Sequence, residues 1–244
     1  MDRRLLQPKW VLATLVVLVV AAVFVWLGFW QLGRLDERRA ANTVGERQTA
    51  QPSIDLDQIL VESGADYSQI EYRNARTTGI FDVDSEVLVR SQVYRDTAGF
   101  HVITPLIKED GTAVLVNRGW IPLTMDTVPV DAAPPFPVEG MVQGWVQLSQ
   151  TRPALGPRDP AEGRLVVVSR VDIDRIQKQV DYQLAPVYLV MARSGGEDLP
   201  VPFSVPDFSD EGPHLGYAFQ WFGFAVILIG GYYFFARKQL MSSV

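Results

Sequence analysis

The sequence predicts two transmembrane α-helices flanking a mostly β (α+β) extracytoplasmic domain, an antiparallel sandwich or open barrel. Three observations carry that prediction. Two long apolar runs stand near the ends of the 244-residue chain, basic residues lie outside them, and the stretch between is rich in β-branched residues broken by turn signals.

Residues 11–33 and 215–235 contain no Asp, Glu, Lys or Arg. At a rise of about 1.5 Å per residue, each run covers a hydrocarbon core of about 30 Å. The first run is longer than the roughly 7–15 apolar residues of a secretory signal and no small-x-small site ends it, so it reads as a retained anchor. Arg3, Arg4 and Lys9 precede it, and Arg237 and Lys238 follow the second run. The positive-inside bias then puts both termini in the cytoplasm. The expected organisation is a cytoplasmic 1–10, a first span 11–33, an extracytoplasmic domain 34–213, a second span 214–235 and a cytoplasmic 236–244. The short stretch before the first span leaves no room for an Arg- and Ser-rich organelle presequence, so a bacterial plasma membrane is the expected location.

Between the spans, "YRNARTTGIF", "EVLVRSQV", "FHVITPLI" and "AVLVNRGWI" read as strands, joined by "DVDS", "RDTAG" and Asp110-Gly111. These four runs predict an antiparallel meander. "VEGMVQGWVQL", "RLVVVS" and "APVYLVMAR" read as further strands, "IDLDQIL" as a short helix, and "DIDRIQKQV" as a helix capped by Asp172. Residues 129–137, 152–163 and 200–206 are proline-rich loops, the second of them expected to be mobile.

Composition removes several classes of function. Segment 34–214 carries 17 basic and 27 acidic residues, which argues against nucleic acid and against attraction to anionic headgroups, leaving membrane lipid as the surroundings of the spans. The absence of cysteine excludes disulfides, thiolate metal sites and a cysteine nucleophile, and two histidines leave little for a metal cluster. No serine has a positioned base, and His101 lies on an alternating strand outside any nucleophile elbow, so no catalytic residue is expected.

Small residues recur every seven positions in both spans: Thr14, Ala21 and Gly28 in the first, Gly216, Gly223 and Gly230 in the second. Such stripes let helices approach closely in lipid, so the two are expected to face each other. Gln31 and Gln220 share these faces by helical spacing and are expected to point inward, as interhelical polar glue. His214, Tyr217, Ala218, Trp221 and Ala225 fall on the opposite side of the second helix, expected to look away from the first. That side reads either as an interfacial aromatic belt or as a binding face for a flat apolar ligand or a partner's helix. Pro213 suits the first helical position, which places His214 in the opening turn, where the helix dipole favours neutral imidazole, a form that ligates iron. The same terminus, with Arg34 nearby, suits carboxylates. A haem combines an iron with two propionates. Arg118 in "VNRGW" reads either as a strand-end residue, paired locally or lying over Trp120, or as a contact to a propionate or to a partner.

"LGFWQLGRLDER", "EYRNARTTGIF", "GFHVITPL", "DGTAVLVNRGWIP" and "HLGYAFQWFGFA" together resemble, in order and spacing, the Surfeit locus protein one family. The resemblance covers nearly the whole chain. It implies a membrane-bound assembly factor for haem–copper cytochrome c oxidase that binds haem a and helps deliver it. The implied partners are the oxidase catalytic subunit and the enzymes of haem a synthesis. The family's haem-associated histidine falls on His214 and its tryptophan on Trp221. Many members carry asparagine before this histidine, where this chain has Gly212-Pro213. A structural adaptor that binds no haem is the alternative role.

Overall fold

A computed structural model of the chain describes residues 7–64, 66–135, 139–150, 158–191 and 198–241. In chain order its elements are α1 (Pro8–Thr49), β1 (Ile54–Asp55), α2 (Leu56–Ser63), β2 (Asn74–Phe81), β3 (Val87–Tyr94), β4 (Thr97–Ile107), β5 (Ala113–Pro122), β6 (Glu139–Leu148), β7 (Val167–Val168), α3 (Ile173–Gln177), β8 (Leu184–Met191) and α4 (His214–Met241). Two compact units form, one from residues 1–44 and 207–244, the other from residues 45–206.

The first unit is an antiparallel helical hairpin. Helix α1 continues well beyond the apolar run, because "RLDERRAANTVGERQT" is rich in strong helix formers and holds no proline. Both helices are long and apolar enough to cross a membrane, and most of each apolar stretch is exposed, as lipid-facing side chains are. The chain is a membrane protein.

The second unit is a barrel. Strands β2, β6, β8, β5 and β4 form a ring, which closes where Ile80 and Phe81 of β2 pair with Ile107 and Leu106 of β4. The β5–β8 contact is parallel and the other ring contacts are antiparallel. Leu115, Val116 and Leu189 are fully buried between the elements, as are Leu56 of α2 and Leu106 of β4. Asp55 caps α2 by accepting the Asp57 N–H at 2.9 Å, and Asp172 caps α3 by accepting that of Arg175 at 3.1 Å.

The expected four-strand meander is corrected to three strands, β3, β4 and β5. Strand β2 pairs instead with β6. The reason is the length of β4: β3 runs along Thr97–Ile103 and β2 meets its far end, so the two lie end to end along one edge. Of "RLVVVS" only Val167 and Val168 pair, in parallel with β3. Proline-rich 200–206 is not wholly a loop, since Val201 exchanges backbone bonds of 2.9 and 2.7 Å with Trp120. The mobility expected of residues 152–157 lies outside the described residues, as do residues 136 and 137 of the other predicted loop.

Strand β5 carries a bulge: Val102 pairs with Gly119 and Ile103 with Asn117, leaving Arg118 as the extra residue. Arg118 thereby turns into the interior, where its side chain is 3 % exposed. Its Nε donates to Thr104 Oγ1 at 2.7 Å, Nη1 donates to the Ala133 carbonyl at 2.8 Å, and Nη2 bonds Glu86 Oε1. Glu86, 1 % exposed, also accepts the Thr104 hydroxyl at 2.7 Å and the Val130 N–H at 2.9 Å. Burial draws the guanidinium's pKa down, while Glu86 holds it up. Trp120 packs against Tyr94, with ring centroids 5.5 Å apart.

His101 borders a small cavity of about 190 Å³ shared with Asn117, Gln150, Tyr188 and Phe203. Its ring meets Phe203 edge-on at 4.7 Å, and burial lowers its pKa from 6.5 to about 4.

Two outcomes are expected. Arg118→Ala leaves Glu86 charged, buried and unmatched, and should cost about 3–5 kcal/mol in unfolding of the full chain. A loss under about 1 kcal/mol would show the network to be dispensable. For His101 the folded pKa is the depressed one, so its stabilising contribution is complete above pH 6.5 and is lost as pH falls towards 4. An unfolding titration of His101→Gln should therefore slope less across that window than the parent; equal slopes would contradict the assignment.

Candidate functional site

The hairpin seam follows heptads on both helices. On α1, Ala21, Gly28, Leu35 and Asn42 are all buried, so the stripe seen as Thr14, Ala21 and Gly28 runs on for two more heptads. On α4 the buried pair is Ala218 and Ala225, 1 % and 4 % exposed, with Tyr232 one heptad further. Phe222 fills the notch over Gly28: a Cβ built there would lie 2.5 Å from the ring. Phe29 meets Phe222 edge-on at 5.4 Å, Phe24 lies 5.6 Å from Trp221 and 5.9 Å from Phe224, and the Tyr232 hydroxyl sits 2.5 Å from Thr14 Oγ1.

This corrects the expected facing of α4. Gly216, Gly223 and Gly230 have open space where a Cβ would stand, and Gln220 is exposed, so none of them packs against α1. The face of His214, Ala218, Trp221 and Ala225 is the one turned inward. A notch at Gly28 needs a protruding side chain opposite it. Phe222 supplies one, whereas glycine against glycine would leave the contact unfilled. Trp221 is therefore part of the seam and not an outward slope, while Tyr217 remains 48 % exposed.

His214 lies at the open end of the seam. The Pro213 carbonyl accepts the Tyr217 N–H at 3.1 Å, so Pro213 occupies the cap and His214 the first helical position. His214 Nδ1 lies 2.9 Å from Gln31 Oε1. An amide oxygen only accepts, so Nδ1–H is the donor in this bond, and Nε2 has no bonding partner among the described residues. Gln31 thus does not meet Gln220; it orients the imidazole.

The segment entering α4 is tied to α1 by contacts that the sequence reading missed. Arg39 makes a two-pronged pair with Glu211, both distances 2.8 Å, and holds that carboxyl below the usual carboxylate range. Asn42 Nδ2 donates to the Asp210 carbonyl at 3.0 Å, and Gly212, at φ 71°, donates its N–H to Asp210 Oδ1 at 2.8 Å. A left-handed φ at this turn favours glycine over any branched residue. Arg34 is half exposed and pairs with Glu37 one turn along, so the structure does not join it to His214. Arg118 belongs to the barrel unit, and its burial with Glu86 removes it as a propionate contact. Among the described residues no cluster of three or more His, Cys, Asp or Glu forms a metal site.

His214 fits a metal-ligating role in one respect, since a ring held through Nδ1–H with its other nitrogen unpartnered among the described residues is the usual arrangement of a ligating histidine. The residues around it do not supply an aromatic platform, since Trp221 is engaged with Phe24.

Fold and site together define a two-helix membrane protein carrying a β-barrel domain, with an oriented histidine at the start of its second helix. A sequence model described as the SURF1 family matches residues 18–226, and the chain belongs to the SURF1 family. It is 29 % identical over 240 residues to a SURF1-like protein of Mycobacterium bovis, covering 97 % of this chain and 86 % of that one. A SURF1-like protein of Rickettsia bellii is 26 % identical over 229 residues, covering 92 % and 90 %. One of Dictyostelium discoideum is 32 % identical over 100 residues, covering 38 % and 37 %.

The seam yields a paired prediction. Gly28→Leu should overpack the Phe222 notch and cost about 1–3 kcal/mol, whereas Gly223→Leu should stay within about 0.5 kcal/mol. Unfolding of the two variants in the same detergent checks this, and the reverse order would refute the register.

Proposed function

We propose that this chain is a membrane-bound assembly factor for haem–copper cytochrome c oxidase, acting without catalysis of its own. On this reading both termini are cytoplasmic and the barrel domain stands outside a bacterial plasma membrane, as the basic flanks favour. Family membership supports the assembly role. The bond from His214 Nδ1 to Gln31 supports the finer reading, in which Nε2 is offered to the iron of haem a before the haem passes to the catalytic subunit. Bound there, haem a would supply a Lewis-acidic iron. The chain's own residues fix the ring: Gln31 sets the tautomer, and the Arg39–Glu211 and Asn42–Asp210 ties hold the turn before it.

One observation favours the second reading, an adaptor that binds no haem: the unfilled glycine face of α4, with exposed Gln220, is shaped for a partner's transmembrane helix.

Protein purified in detergent from cells making haem a tests both. Absorption of haem a should accompany the parent and be lost from His214→Ala. Gln31→Leu should weaken haem affinity by about tenfold, and Gln31→Glu, which keeps an acceptor, should restore it. Equal haem occupancy and an unmoved Soret band in His214→Ala would remove the ligand assignment and leave the adaptor.

A further inference from the structure

Besides the His214 region, the barrel unit holds a cleft of about 590 Å³ beside α3. Four cations line it: Arg158, Arg170, Arg175 and Lys178. That concentration is unusual in a domain whose balance is acidic.

Arg175 is the unusual member. It is only 8 % exposed, yet among the described residues its guanidinium is met by carbonyls and not by a carboxylate. Nε donates to the Pro160 carbonyl at 2.6 Å, and Nη2 to the carbonyls of Gly163 at 2.6 Å and Glu162 at 3.2 Å. Nη1 is buried with no partner at all among the described residues. A buried guanidinium normally has a counter-charge, because desolvating an unmatched charge is costly. The carboxylates at the rim do not provide one. Asp159 accepts from the Ser169 N–H and hydroxyl and pairs with Arg90, and Asp172 accepts the Arg175 backbone N–H. Asp174 is exposed.

We propose that this cleft binds an oxyanion, a carboxylate or phosphate group, which offsets the charge of buried Arg175 beneath it and is flanked by exposed Arg158 and Lys178. The exposed Arg158 guanidinium can match two oxygens of such a group, and the exposed lysine adds a mobile point charge. The group comes either from a free small anion or from an acidic side chain of a partner protein. The site is independent of His214 and of haem.

Calorimetric titration of the full chain in detergent decides the matter, with inorganic phosphate, succinate and a short polyglutamate peptide as probes, and sodium chloride of matched ionic strength as the blank. Saturable binding is expected, with an affinity about tenfold lower in Arg158→Ala/Lys178→Ala and unchanged in Arg34→Ala. The double variant changes exposed side chains, so it reads the site even where Arg175→Ala fails to fold. Saturation by phosphate or succinate assigns the cleft to a free anion, and saturation by the peptide alone assigns it to a partner chain. No saturation by any probe, or undiminished affinity in the double variant, overturns the proposal.

Discussion

The hairpin depends on one contact of shape, the Phe222 ring seated over Gly28. In lipid there is no gain from hiding apolar surface, so helices stay together through close packing and a few polar bonds. The Phe222 contact sets the separation at which Gln31 reaches His214 and Tyr232 reaches Thr14. The polar bonds at the two ends follow from a register that an aromatic knob determines in the middle.

The barrel is organised by a different constraint, the need to match a charge drawn into its interior. The bulge at Arg118 breaks the in-and-out alternation of β5 and turns a cation inward, and Glu86, Thr104 and the Ala133 carbonyl are placed to receive it. These partners come from β4 and from the segments flanking β3 and following β5, so the network ties together parts of the chain that the sheet ladder alone would leave loosely connected.

Much of this was legible in the sequence. The spans, the β-rich domain between them, the Asp172 cap and the place of His214 in the opening turn of α4 follow from composition, spacing and cap chemistry, although Pro213 is the cap and not the first helical residue. The facing of α4 was not legible, because two sevenfold series run along it, glycines at 216, 223 and 230 and Ala218, Ala225 and Tyr232. Small size marks the glycines and the two alanines alike, and only the partner's relief at Gly28 chooses between the series. For Arg118 the local-pairing reading holds, through Glu86, but its burial at a bulge was not legible. Strand periodicity predicts a side chain's face only while alternation holds, and the signal against it was the glycine inside "NRGW", a mark of a bulge. The Arg39 and Asn42 ties were hidden by ending the first helix at its last apolar residue, although Leu35 and Asn42 continue its heptad.

The barrel's outermost strands deserve a consequence of their own. At either end of the strand order stand β1 and β7, two residues each, and the rest of β3 is interrupted by an irregularity at Ser91, whose φ is 64°. Proteins held in a bilayer diffuse in two dimensions and collide at a high effective concentration. A long, straight run of unsatisfied backbone groups would recruit strands from neighbouring copies. Short, kinked borders deny such copies a template, so the domain can stay separate where crowding is greatest.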